Sequence, residues 1–300
     1  MTAVRDDGAV QIHLIDGTYE LFRHHLGLPS EVAAASTAAG TRGVLRSVLD
    51  LIGSGATHVG VATDTVIESF RNDLWPGYKS SAGVERALLD QFPMLEEGLA
   101  ALGVTVWGMT ELEADDALAT AAARAAVDPR VERVLICTPD KDLAQCVRDG
   151  RVVQLDRRLD VLRDAAGVRE RFGVAPESIP DYLALVGDSA DGFPGLPGWG
   201  AKSASALLAR WGSIGAIPED PADWDVAVRG AARLAAALQE GRGLAALFVQ
   251  LATLREDADG VLEDGVDALA WRGPAPELET FCARIDAPDL VRRSAELAGR

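Results

Sequence analysis

Short apolar runs alternate with longer amphipathic ones through the first half of the chain. The β-branched runs at 10–15 (VQIHLI), 58–63 (HVGVAT), 104–107 (VTVW), 131–137 (VERVLIC) and 151–155 (RVVQL) predict strands. The stretches at 41–53, 85–102, 112–126, 140–147 and 162–172 carry helical periodicity. Strand–helix alternation predicts an α/β fold, with a parallel sheet covered on both faces. Gly and Pro at 27–29 and 76–77 mark loops, and the Ala-rich EVAAASTAAGT (31–41) reads as a flexible loop or weak helix. From about 176 the pattern is mostly helical: APESIPDYLALVG opens it, and helices are expected near 201–211, 223–240 and 243–254. GVAPESIP marks the change, so the chain is divided into 1–178 and 179–300. There is no internal repeat and no low-complexity tail.

Acidic residues fall at the ends of the predicted strands. Asp16 follows the first, Asp64 the second, Glu113, Asp115 and Asp116 the third, and Asp140 and Asp142 the fourth. In a parallel sheet all strand C-termini share one edge, and ligands bind there. Four β→α junctions therefore deliver seven carboxylates to one rim. A single such Asp is ordinarily a helix N-cap; doubled and tripled acids at successive junctions exceed what capping needs. Glu113 and Asp116 are three apart and share a helix face, with Asp115 about 100° round. So many carboxylates in one crevice need cations beside them. The donors are all hard oxygens, which selects Mg²⁺ or Mn²⁺, two or more ions, over zinc. A pair of such ions suits phosphoryl transfer.

Composition changes this picture at one point. The 300 residues are 48% hydrophobic and 25% charged, as in an ordinary globular protein, but the formal net charge is −17. Nucleic-acid binders are usually basic, so an acidic chain points first to a small-molecule enzyme unless its acids have a task. The N-terminal MTAVRDDGAV is polar and unlike a signal, and no apolar run is long enough for a membrane span. Cys137, Cys146 and Cys282 are scattered, which implies reduced thiols in a cytoplasmic protein and no zinc site.

Two further stretches look made for phosphate. FRNDLWPGYKS (70–80) supplies Arg71, Tyr78 and Lys79, cations to hold a phosphate and a ring to stack on a base. In LVGDSADGFPGLPGWGAKSASALL (185–208), Asp188 and Asp191 run into a glycine turn and then a helix. Gly195, Gly198 and Gly200 allow a tight turn whose amides approach phosphates, and Lys202 and Ser203 open the following helix. Such a grip uses backbone dipoles, so a duplex is held without a basic surface.

Taken together, LIDGTYELFR, VATDTVIESFRNDLWPGYK, ELEADDALA, TPDKDLAQ and LVGDSADGFPGLPGWGAKSA resemble the motifs of the structure-specific 5′-nucleases: bacterial 5′–3′ exonucleases, flap endonucleases and the N-terminal domain of type I DNA polymerases. The resemblance runs over about residues 10–275. It implies a PIN-like nuclease core (1–178) and a helical DNA-binding region with a helix-three-turn-helix element (179–300). It implies nine metal-site carboxylates, with Asp188 and Asp191 joining the seven above, and a K⁺ at the turn. Lys79 and Arg71 would steady the scissile phosphate, and Tyr78 would orient the unpaired terminal nucleotide. The substrate implied is DNA with a 5′ flap, a nick or a 5′ end, cut by a monomer; with the chain ending at 300, no attached polymerase domain is expected.

One departure stands out. Relatives carry an arch rich in Lys and Arg after the Tyr-Lys pair, whereas 80–103 has one Arg, Arg86, against Glu85, Asp90, Glu96 and Glu97, with SSAG in place of the usual arginine. That keeps open a catalytically weak or silent junction-binding relative. An RNA-directed PIN-type nuclease and a small-substrate phosphatase would have no use for 185–208.

Overall fold

The computed structural model describes residues 10–27 and 37–299, so residues 28–36 of the Ala-rich stretch and of the 27–29 loop lie outside it. The chain packs as two compact units that interleave along the sequence. Unit 1 holds residues 1–67, 81–138 and 256–300; unit 2 holds 68–80 and 139–255.

Unit 1 is built on four strands: β1 (Val10–Asp16), β2 (His58–Asp64), β3 (Thr105–Met109) and β4 (Val131–Cys137). They lie in the order β3-β2-β1-β4 with every pair parallel, the α/β architecture expected. Central strands are covered on both faces and therefore run nearly continuously apolar; Ile12, Leu14, Val61, Val134 and Ile136 are wholly buried. The helix Ala39–Gly53 buries Val44, Leu45, Val48, Leu49 and Ile52, a stripe of helical period. Register places Ile15 opposite Cys137, Asp16 opposite Ala62 and Asp64 opposite Met109, so all four strands end at one edge, with β2 and β3 running two residues past Asp16. The C-terminal segment closes this unit: the Trp271 amide donates to Thr57 O at 2.8 Å, its indole N–H to Leu102 O at 2.9 Å, and Thr105 Oγ1 to Ala268 O at 2.6 Å.

Unit 2 contains a short antiparallel hairpin, β5 (Val152–Asp156) with β6 (Val161–Arg163), and a helical body formed by Ala165–Phe172, Ile179–Val186, Ala201–Trp211, Ala231–Glu240 and Arg242–Ala252. Phe193 stacks on Phe248 with centroids 5.3 Å apart at the centre of a core that includes Leu183, Leu185, Leu207 and Leu208.

Several elements differ from expectation, each for a local reason. The helix expected over 85–102 is two, Arg86–Leu89 and Gln91–Ala101, meeting at Asp90. The stretch 140–147 forms only a 3₁₀ turn, Asp142–Cys146. Residues 161–163 are strand because Arg163 pairs with Gln154 across the hairpin; the helix starts after Asp164, whose carboxylate accepts from the Gly167 amide at 2.9 Å. Of 223–240, only Ala231–Glu240 is helical. The helix Gly17–Leu26 was not among the elements expected; it is started by Asp16, which accepts from the Tyr19 amide, and it buries Gly17, Leu21 and His25 on one face.

Candidate metal centre and phosphate grips

In unit 1 the acids sit at one edge of the sheet, and Asp16, Asp64 and Asp116 are engaged by the backbone or hydroxyls around them. Asp16 ends β1; its Oδ1 accepts from the Tyr19 amide at 2.8 Å and its Oδ2 from Thr138 Oγ1, just past β4, at 2.9 Å. Asp64 ends β2; its amide donates to Thr18 Oγ1 at 2.8 Å and its Oδ1 accepts from the Ala114 amide at 2.7 Å. The Glu113 amide in turn donates to Asp116 Oδ2 at 3.0 Å. Asp16, Asp64, Glu113 and Asp116 are buried and Asp115 is half-buried. Strand ends and the N-terminus of the helix Ala114–Ala126 thus aim five carboxylates at one rim, where the helix dipole favours negative charge.

Unit 2 presents a different arrangement. Asp142, Asp188 and Asp191 are all buried, and each offers an oxygen within 4.8 Å of the others. Asp140 joins them through its Oδ1, which accepts from the Asp142 amide at 3.0 Å. Burial first, then the charges of Asp140, Asp191 and Asp188, push the Asp142 carboxyl well above the usual carboxylate range. Its Oδ1 is buried and accepts no hydrogen bond, an orphan that a divalent cation would satisfy. Two lysines face the cluster: Lys141 Nζ lies 2.6 Å from Asp188 Oδ2, and Lys79 Nζ lies 3.2 Å from Asp191 Oδ1. Burial pulls the Lys141 ammonium down, but the hydrogen bond to Asp188 and the charges of Asp142, Asp188 and Asp140 outweigh it and leave it raised. Lys141 was overlooked in the sequence; its position between two expected ligands was the available signal. All three lysines of the chain, Lys79, Lys141 and Lys202, belong to this unit. Hard oxygens, buried negative charge and an orphaned acceptor fit a hard divalent ion.

The structure places the residues of 70–80 differently from one another. Arg71 is turned inward and wholly buried; its Nε donates to Leu251 O at 2.8 Å and an Nη to Thr253 O at 3.3 Å. An arginine so held pins the short helix Phe70–Leu74 to the Leu251–Thr253 backbone and is not presented to a phosphate. Tyr78 is 5% exposed and packs in the unit 2 core, which leaves its ring no face for a base. Lys79 alone of the three reaches the cluster, held there by its amide, which donates to Asp191 O at 3.0 Å, and by its carbonyl, which accepts from Asn72 Nδ2. The same strap fixes Gly192 (φ 83°), where a Cβ would overlap the Gly77 carbonyl.

The glycine turn follows directly. Gly195 (φ 71°) lies against Gly187 and the Leu185 carbonyl, with no room for a side chain. Ser203 Oγ donates to Gly200 O at 2.9 Å and tightens the start of the helix Ala201–Trp211. Gly198, Gly200, Lys202 and Ser203 line a cavity of about 520 Å³ whose far wall includes Val228 and Arg229. Lys202 is exposed.

Residues 11–173 match the family model of the 5′–3′ exonuclease N-terminal resolvase-like domain, and residues 174–277 that of the 5′–3′ exonuclease C-terminal SAM fold. The chain belongs to the 5′–3′ exonuclease family, as its acidic motifs led one to expect, and the members of that family are metal-dependent nucleases. It is 35% identical over 257 residues to DNA polymerase I of Pseudomonas aeruginosa, covering 82% of this chain and 27% of that protein. It is 30% identical over 294 residues to DNA polymerase I of Bacillus caldotenax, covering 92% and 32%. The chain therefore spans about a quarter to a third of these relatives. Among solved structures, its fold is similar to T5 5′-exonuclease with bound divalent zinc (TM-score 0.62, 16% identity, 96% and 98% covered). It is similar also to the catalytic core of Rad2 in complex with DNA substrate (0.63, 15%, 98% and 93%) and to flap endonuclease-1 of Methanococcus jannaschii (0.60, 12%, 97% and 93%). Among the described residues no helix is long and apolar enough to cross a membrane.

Proposed function

We propose that this chain hydrolyses DNA phosphodiesters at 5′ flaps and 5′ ends with Mg²⁺ or Mn²⁺, as a cytoplasmic monomer. The observation that carries the reading is the buried cluster Asp142, Asp188 and Asp191 with its orphaned Oδ1, a few residues along the chain from the glycine turn. Each unit's acids would hold metal: Asp16, Asp64, Glu113, Asp115 and Asp116 in one, Asp140, Asp142, Asp188 and Asp191 in the other. A bound divalent ion supplies positive charge for the phosphoryl oxygens and makes water acidic enough to attack. Lys79 and Lys141 neutralise part of the cluster; both keep part of the side chain exposed (27% and 31%), and Lys79 is the one proposed to turn towards a scissile phosphate. Arg71 and Tyr78 support that lysine from behind. The turn at Gly195, Gly198 and Gly200, with Lys202, Ser203 and a K⁺, would grip the duplex backbone.

A 5′-flap duplex labelled at either end in separate reactions, incubated with Mg²⁺, Mn²⁺ or EDTA, tests this. Metal-dependent cuts near the junction, or stepwise release from the 5′ end, are expected. Tight binding with no cut under either metal would favour a junction-binding protein. One observation leans that way: Arg86, the sole cation in 80–103, is bound to Asp90 at 2.7 Å.

A further inference from the structure

If segment 80–103 offers no unpaired cation, the acidic chain must hold the substrate strand elsewhere. Basic residues concentrate in unit 2 between 148 and 171, where seven arginines stand in 24 residues. Two of them lie near the turn at Pro139 and Asp140. Arg171 Nη1 donates to Pro139 O at 3.4 Å, and its guanidinium lies over the Phe172 ring at 4.8 Å. Arg163 pairs across the hairpin with Gln154, whose amide donates to Asp140 O. Arg171 thus touches the turn that carries one of the proposed metal ligands, and Arg163 stands across the hairpin from the glutamine that also binds it.

Neither makes an ion pair with a carboxylate among the described residues. The nearby acids are used locally: Asp156 accepts from the Arg158 and Leu159 amides at 3.1 Å, and Asp164 caps its helix. Arg163 Nη1 and Gln154 Oε1 are buried and have no hydrogen-bond partner in the protein. Like charges set side by side repel; burial first and then Arg163 lower the Arg171 guanidinium below the usual arginine range, and the charges of Asp140 and Asp156 offset this only in part. Paired guanidiniums suit the two oxygens of a phosphodiester.

We infer that Arg163 and Arg171 form a phosphate subsite that holds a non-scissile phosphate of the DNA strand beside Asp140. The subsite supplies, from the hairpin side, the grip that the acid-rich 80–103 segment lacks. This rests on the DNA reading given above. Gln154 Oε1, an acceptor, would be filled by water or by the second guanidinium, not by the phosphate.

The test combines Arg163→Ala/Arg171→Ala with a scan of neutral methylphosphonates along the flap substrate, measured as binding in EDTA and as cleavage with Mn²⁺. In the wild type, one non-scissile position should cost about tenfold in affinity when its charge is removed. In the double variant that position should cost less than about twofold, and the salt slope of binding should fall by about 0.9 per lost contact. The loss should fall on KM more than on kcat. Arg163→Lys/Arg171→Lys keeps both charges and should retain most of the slope, which guards against a folding defect. An identical methylphosphonate profile in wild type and double variant overturns the subsite. A wild type that cuts no flap overturns the nuclease reading instead, while its binding profile still judges the arginines.

Discussion

In unit 1 the carboxylates are anchored before any ion arrives. Asp16, Asp64 and Asp116 each accept a hydrogen bond from a backbone amide, and Asp16 accepts a hydroxyl as well. In unit 2 the carboxylates face one another, and their neutralisation comes from two lysine side chains. The first arrangement fixes ligand geometry through hydrogen bonds to backbone amides and a hydroxyl. The second stores repulsion that only a cation relieves, and Asp142 bears most of it. Ligand rigidity and ion demand are thus divided between two parts of one chain.

That contrast can be broken by substitution. The largest effect is expected on turnover: Asp116→Asn or Asp188→Asn should lower flap cleavage at least about 100-fold in a gel assay, a scale typical of losing one group that stabilises transition-state charge. The Asn oxygen of Asp116→Asn still accepts from the Glu113 amide, so its Tm should stay near wild type; a collapse in Tm would make Asp116 structural.

Next comes stability without metal. A carboxyl raised in the native state binds its proton there longer than in the unfolded chain, so it lowers stability as pH rises above about 3.9 and through its raised native value. In EDTA at pH 7, Asp142→Asn should therefore melt at least about 2 °C above wild type, the shift worth roughly 1 kcal/mol in a chain of this size. The difference should vanish near pH 3, and equal Tm values across the range would remove the stored repulsion.

Lys141→Ala leaves buried Asp188 without its counter-charge. Its side chain is 31% exposed, so the loss should stay under the ~3–5 kcal/mol of a fully buried pair. Adding Mn²⁺ should raise Tm more in this variant than in wild type; an equal rise would show that lysine and ion do not share a charge. The smallest effect is expected at Lys202→Ala: a several-fold weaker duplex affinity, the same for every sequence, with the salt slope lower by about 1.

Much of this was legible in the residues because strand ends are legible. β-branched runs located the sheet, and parallel topology then made neighbours of acids far apart in sequence. Side-chain direction was not legible. Arg71 and Tyr78 sit in a stretch that reads as a phosphate grip, yet both turn inward: Arg71 is the buried residue of the short helix Phe70–Leu74, too brief to show a period, and Tyr78 follows in the loop behind it. Lys141 was hidden by its neighbours, since a lysine between two aspartates reads as solvated. The hairpin strand β6 was masked by helical periodicity in 162–172, and only cross-strand pairing to Gln154 decides between the two.

The interleaving of the units also bears on how the protein is made. Synthesis runs from the N-terminus, so a ribosome that has joined residue 255 has synthesised all of unit 2 but not the strap whose Trp271 and Ala268 complete unit 1. The helical unit is then free to form while the sheet unit, begun first, must wait with apolar surface uncovered. For the nascent chain, that interval is when chaperone binding or aggregation would act on it.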